Sequence, residues 1–306
     1  MTTPLRAGVI GAGVFGAYHA AKYATLPGVI LAGVHDIDQA RAADLAARTA
    51  SQHFSDLAAL LAEVDVVSIA SPAGAHARAA LSALSAGVHV YVEKPLATSL
   101  ADADAIGGRA AASDLVVACG FLERAAVEAI GLFGIGVPPL RIEAVRAAPP
   151  SPRNLDVSVV MDLMIHDLDL ALALTGSQAV TVEGEAGRLN DGRVDEAIAE
   201  ATFESGAVAS FRASRVALEP ERWMRLTYPT GDVRIDFLGG GLVDTTGFAL
   251  DRAFAGTPAG ADRLAAGLAA FIAAVRGERP APLADARDGA RALDLALAVE
   301  QAILGG

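Results

Sequence analysis

The chain has 306 residues, 53% of them hydrophobic and 20% charged, with a formal net charge of −12. That length points to two domains, and that much apolar material excludes wholesale disorder. The acidic balance excludes nucleic acid or an anionic membrane surface as the main partner, and the single Cys119 excludes an intrachain disulfide or a cysteine-built zinc site.

The first pattern is LRAGVIGAGVFGAYHA, residues 5–20. An apolar run ends in Gly11, Gly13 and Gly16, and passes straight into a helix-like segment from Val14. Gly11 permits a tight turn, Gly13 lets a pyrophosphate approach the backbone, and Gly16 lets the helix pack close to its strand. Free N–H groups at Val14 and Phe15 then face the phosphates. The next strand pattern, VILAGVHD, ends in Asp36, where a carboxylate meets the adenosine ribose of a bound dinucleotide. A ribose-binding carboxylate repels a 2′-phosphate, so the expected cofactor is NAD, with NADP second.

Strand and helix patterns alternate from there to residue 121, as a doubly wound parallel sheet requires. VDVVSIAS (64–71) is an unbroken apolar strand that ends at Ser71 and Pro72, outside the carboxyl end of the sheet where ligands bind. A helix follows from His76, then HVYVEKPL (89–96) with Glu93 and Lys94 at its end. A lysine on a half-buried strand end needs a partner or a function, such as a cation beside a reacting hydroxyl. The Lys94–Pro95 bond is left open between cis and trans, a sharp bend that aims Lys94 into the crevice being a reason for cis.

From residue 140 the period changes to that of strands, separated by turns such as Glu204-Ser205-Gly206 and Pro229-Thr230-Gly231. The expected fold is α/β: an N-terminal Rossmann domain (1–121) with a doubly wound parallel sheet, then an α+β domain (122–306) with a large open, mostly antiparallel sheet. Inside the second domain, VVMDLMIHDLDLALALTG (159–176) reads as a helix with Asp162 and His166 four residues apart on one face. Asp169 continues that face and Asp167 points elsewhere. A carboxylate beside a histidine orients the ring for general-base chemistry; one histidine with no further ligand at fixed spacing speaks against a metal site. MTTPLR runs directly into the first strand and no apolar run reaches the ~20 residues of a membrane span, so a cytoplasmic protein without signal peptide is expected.

The glycine loop, the run SIASPAGAHARAALSALSAGVHVYVEKPLA (68–97) and D-x-x-x-H at 162–166 together resemble the Gfo/Idh/MocA oxidoreductase family. The resemblance implies NAD or NADP, a catalytic-site Lys94, a D-x-x-x-H pair with His166 as base and Asp162 beside it, His76 near the cofactor, and a homodimer or homotetramer formed through the open sheet. A narrower resemblance, carried by 151–176 and by G-F-L-E-R at 120–124, is to UDP-N-acetylglucosamine 3-dehydrogenases. There F-N-P-A tends to follow, whereas this chain continues Ala125-Ala126-Val127-Glu128. Arg124 and Arg153 are candidates for a nucleotide-sugar diphosphate, since guanidinium suits phosphate oxygens. The implied reaction moves a hydride between a sugar-ring alcohol and nicotinamide. Alternatives are a free-sugar or inositol dehydrogenase and, in another class, a non-catalytic dinucleotide-binding sensor.

Overall fold

A computed structural model describes residues 3–151, 157–190 and 193–305. Its contacts divide the chain into two units, 1–122 with 264–290, and 123–263 with 291–306.

In the first unit six parallel strands alternate with helices. They are β1 (Leu5–Ile10), α1 (Val14–Tyr23), β2 (Val29–His35), α2 (Gln39–Arg48), β3 (Gln52–His53), α3 (Leu57–Leu61), β4 (Val66–Ile69), α4 (His76–Ser85), β5 (His89–Val92), α5 (Leu100–Ala111) and β6 (Val117–Cys119). Their order across the sheet is β3-β2-β1-β4-β5-β6, the doubly wound arrangement, with the reversal between β1 and β4. Every residue of β4 is buried, as a central strand with both faces covered demands. Side chains of Asp38, Asp56 and Ser99 cap α2, α3 and α5 by accepting a backbone N–H from the first turn. No side chain caps α1 or α4.

Residues 264–290 return to this first unit instead of completing the second, which alters the contiguous division expected at 121/122. The reason lies in one face of the helix Arg263–Val275. Leu264, Leu268, Phe271 and Ile272 are buried in one cluster with Tyr23, Leu31 and Tyr91. Gly267 sits against the Tyr91 hydroxyl, where a Cβ would come within 3.1 Å.

The second unit begins with α6 (Glu123–Ile130). It continues with β7 (Arg141–Ala147), a π-helical turn at Val160–Met164 running into α7 (Ile165–Thr175), and then β8 (Ala179–Asn190), β9 (Arg193–Phe203), β10 (Val208–Ser214), β11 (Glu221–Tyr228), β12 (Gly231–Asp236) and β13 (Leu242–Asp244). The seven strands lie in the order β13-β12-β11-β7-β10-β9-β8, and only β7 with β10 is parallel. Gly206 and Gly231, both at positive φ, close the tight β9–β10 and β11–β12 connections where turn residues had marked them.

Burial alternates along the strands. Ile142, Ala144 and Arg146 of β7, Met224 and Leu226 of β11, and Val233 and Ile235 of β12 are buried on one face. That face carries α7, which packs on β7 and β10. The other face presents Glu143, Val145, Trp223, Arg225 and Arg234, half-buried or exposed. Gly176, left-handed at φ 64°, ends α7 by donating its N–H to the Leu172 carbonyl. No helix among the described residues is long and apolar enough to cross a membrane.

Candidate active site

The glycine loop is the candidate site of the first unit. Gly11 is left-handed at φ 98°, and a Cβ there would lie 2.7 Å from the backbone of Ala70 and Ser71. A Cβ on Gly16 would strike the Gly11 carbonyl, so the turn and the helix–strand approach both demand glycine. Gly13 differs: nothing lies within 4 Å of where its Cβ would be. The protein alone has no need of glycine there, whereas a ligand approaching the backbone does.

Three further observations fit a dinucleotide at this loop. The first turn of α1 lacks a side-chain cap, leaving N–H groups for phosphate oxygens, with Val14 and Phe15 partly exposed beside them. Ser71 Oγ is buried and has no hydrogen-bond partner among the described residues. Asp36 stands at the end of β2 and accepts the backbone N–H of Ala12 through Oδ2 (2.6 Å) and that of Asp38 through Oδ1 (2.8 Å). It therefore fixes the loop and still has lone pairs for a ribose diol.

The Lys94–Pro95 peptide bond is cis, and Lys94 is half-buried. Beneath it runs a buried chain of hydrogen bonds. Tyr23 Oη is 2.8 Å from Ser68 Oγ, which is 2.9 Å from His19 Nδ1, and His19 Nε2 is 2.8 Å from Glu93 Oε1. One direction satisfies every member: Tyr23 donates to Ser68, Ser68 to Nδ1, and Nε2–H to Glu93. Burial pushes the Tyr23 hydroxyl up, which suits a donor. Burial also pushes the Glu93 carboxyl up, but the His19 hydrogen bond and the cationic surroundings, Lys94 among them, outweigh it and hold Glu93 below the ordinary range.

His76 is buried, with Nδ1 2.8 Å from the Pro95 carbonyl and Nε2 2.8 Å from the Ser71 carbonyl. It ties the turn after β4 to the turn after β5.

In the second unit, the stretch that carries Asp162 and His166 departs from a regular helix. Asp162 lies in the π-turn and His166 in the first turn of α7, so a wider turn stands where a uniform α-helix was expected. The carboxylate against the ring is Glu123 of α6, with Oε2 2.9 Å from His166 Nδ1. Its other oxygen accepts from Arg146 Nη1 at 2.8 Å and from Arg222 Nη1 at 3.4 Å. Arg146 turns its remaining edge to Asp167, with Nε–Oδ2 3.0 Å and Nη2–Oδ1 2.9 Å. Burial alone would raise the Glu123 carboxyl; the charges of Arg146, His166 and Arg222 hold it well below the usual carboxylate range.

Arg124 is not available as expected. It is buried, and its Nε–Nη2 edge is taken by both oxygens of Asp169. Asp169 thus serves α6, and Asp167 serves β7. Arg153 lies outside the described residues. Neither Glu123 nor His19 carries a strong local signal: Glu123 shows only as part of G-F-L-E-R, and His19 only as a histidine on the buried face of a helix.

The chain is similar to known proteins in sequence and in fold. Residues 5–121 match the oxidoreductase family with an NAD-binding Rossmann fold, and 144–239 match the GFO/IDH/MocA C-terminal domain. UDP-N-acetylglucosamine 3-dehydrogenase of Acidithiobacillus ferrooxidans is 40% identical over 98% of this chain and 97% of its own. A solved structure of that enzyme superposes with a TM-score of 0.89 at 39% identity, covering 99% of each chain. Myo-inositol 2-dehydrogenase of Thermotoga maritima is 30% identical over 70% of each chain. The scyllo-inositol dehydrogenase of Lactobacillus casei, solved with NAD(H) and scyllo-inositol, shares the fold with a TM-score of 0.83 at 21% identity over 99% of this chain and 97% of its own.

Proposed function

We propose a substrate for this chain on the premise that it belongs to the Gfo/Idh/MocA oxidoreductase family and is an NAD-dependent dehydrogenase: a nucleotide sugar, UDP-N-acetylglucosamine, oxidised at C3. The observation that carries the choice is the extent of the likeness. The relative acting on UDP-N-acetylglucosamine matches 98% of the chain at 40% identity, whereas the myo-inositol relative matches 70% at 30%. When bound at the glycine loop and Asp36, NAD would supply the hydride acceptor for the carbon that bears the reacting hydroxyl. The residues of this chain do the rest.

In this reading His166 takes the hydroxyl proton on Nε2 as the hydride leaves, and Lys94 holds the oxygen with its ammonium. Both effects favour the carbonyl product, and a positioned base contributes roughly 10²–10⁴-fold. Asp162 is a neighbour of the reacting group in the same reading. The ionised Asp36, fixed by two backbone N–H groups, supports NAD over NADP by repelling a 2′-phosphate. Arg153 is kept as a candidate diphosphate ligand. Arg124 supports the helix that carries Glu123 and has its fork on Asp169.

The half-exposed face of the second sheet, where Arg234 lies over the Trp223 ring, supports a homodimer or homotetramer of a cytoplasmic enzyme. Incubation with NAD and a panel of UDP-sugars, free sugars and inositols, followed by NADH absorbance, tests the substrate. Reduction with UDP-N-acetylglucosamine is expected. Reduction with inositols alone would transfer the chain to the second reading, which the myo-inositol relative favours.

A further inference from the structure

We infer that Glu123 is the positioning residue of the base: it fixes the His166 ring through Nδ1 and stabilises the protonated ring without receiving the proton. The inference rests on the reading of His166 as base and adds the group that makes it one.

Its ground is the way one buried carboxylate is divided. Oε2 lies 2.9 Å from His166 Nδ1, while Oε1 meets Arg146 at 2.8 Å and Arg222 at 3.4 Å. A carboxylate accepts and does not donate, so the ring nitrogen facing it carries the hydrogen. That assigns the Nδ1–H tautomer and leaves the Nε2 lone pair for the hydroxyl proton. When the substrate O–H bond breaks, its electron pair stays on oxygen and an N–H bond forms at Nε2. The ring then bears a positive charge 2.9 Å from a fixed negative one.

The arginines decide what Glu123 cannot do. Arg146 is held on its other edge by Asp167, so the Glu123–Arg146–Asp167 row is rigid. Two guanidinium groups on Oε1 keep Glu123 ionised, and a carboxylate so held does not take the proton on from Nδ1. The ring is the proton's stopping place.

The charged groups around the ring are Glu123 from α6, Arg146 from β7, Arg222 from β11, and Asp162 and Asp167 from its own helical segment; Arg263 lies close enough to feel the same carboxylate. Glu123 lies 2.9 Å from Nδ1. It is also shared with the half-exposed Arg222, whose side chain retains 36% of its exposure.

Two experiments test this. The first is the pH profile of kcat/KM in wild type, Glu123→Gln, Glu123→Asp, Asp162→Asn and His166→Ala. Glu123→Gln keeps the shape of the side chain and leaves Arg146 its Asp167. It is expected to lower kcat about ten- to hundredfold, less than loss of the base itself, and to move the acid limb to lower pH with KM for NAD unchanged. Glu123→Asp restores part of both, and Asp162→Asn leaves the acid limb in place. An unmoved limb in Glu123→Gln, with His166→Ala inactive, overturns the inference and leaves His166 as base. Full turnover in His166→Ala overturns the base reading itself. The second experiment needs no variant at Glu123: nitrogen-15 NMR of histidine-labelled wild-type enzyme, with His166 assigned by His166→Gln. The Nδ1–H tautomer is expected, and the Nε2–H tautomer would refute the proposal.

Discussion

Arg124 lays Nε and Nη2 of its guanidinium against the two oxygens of Asp169, at 2.8 and 2.7 Å, and both side chains are buried. The pair ties α6 to α7, and with them Glu123 to His166. Removing one member of such a pair leaves a buried charge without its fork, at a cost of about 3–5 kcal/mol. Arg124→Ala should therefore lower the unfolding free energy measured by urea denaturation by that amount, and Arg124→Met with Asp169→Leu together should recover most of it. A substrate-binding arginine would show the reverse: a raised KM for the nucleotide sugar with unfolding unchanged.

The three glycines of the first loop separate fold from ligand. Gly16→Ala places a Cβ against the Gly11 carbonyl and should destabilise the first unit strongly. Gly13→Ala meets nothing within 4 Å, and its φ of −72° suits any residue. Its melting temperature should stay close to wild type, with a helix-cap cost of about 0.5 kcal/mol. Its NAD affinity should fall at least about tenfold, or about 1.4 kcal/mol, because the methyl group stands where the pyrophosphate approaches. Calorimetric titration with NAD checks the second effect, and unchanged affinity would remove Gly13 from the cofactor site.

Acid should act through Glu123. Its folded carboxyl lies well below the ordinary value of 4.5: burial works upward, but Arg146, His166 and Arg222 outweigh it. A carboxyl depressed by folding contributes stability that is fully present above its unfolded value and is lost as the pH falls through its folded one. The difference in unfolding free energy between wild type and Glu123→Gln should be constant from about pH 8 to pH 5 and shrink below about 4.5. A gap that widens on acidification would mean that burial wins and the carboxyl is raised.

How much of this the sequence shows depends on whether the signal is local. Gly11, Gly13, Gly16 and Asp36 announce themselves because turn, helix start and strand end are set by neighbours in the chain. The parallel sheet followed from the same alternation. The π-turn did not: an apolar run with Asp162 and His166 four apart looks like plain α-helix, and the wider turn is settled by packing. Glu123 and Arg146 are 23 residues apart and meet only through the fold, so no spacing could have paired either with His166. His19 looked like any histidine in an alanine-rich helix until Ser68 and Glu93 stood on either side of it. The helix Arg263–Val275 carries a clear apolar face, but such a face does not say which core receives it.

Lys94 and His166 should behave as one catalytic unit. Neither belongs to the glycine loop or to Asp36, so Lys94→Ala and His166→Ala should each bind NAD nearly as wild type does. Each should lose roughly two to four powers of ten in turnover, about 3–5 kcal/mol of barrier. The double variant should be little worse than either single one, because two residues that serve one proton transfer do not contribute independently. Their pH profiles should differ. His166→Ala removes the group whose protonation forms the acid limb and should flatten it, whereas Lys94→Ala changes the field around the reacting oxygen and should mainly displace it. Stopped-flow measurement of NADH formation, with NAD affinity taken from calorimetry, separates these outcomes. Near-full turnover in His166→Ala would make Lys94 the base. Loss of NAD binding in a folded Lys94→Ala would make the lysine a cofactor ligand. Strictly additive losses would mean that the two act on different steps.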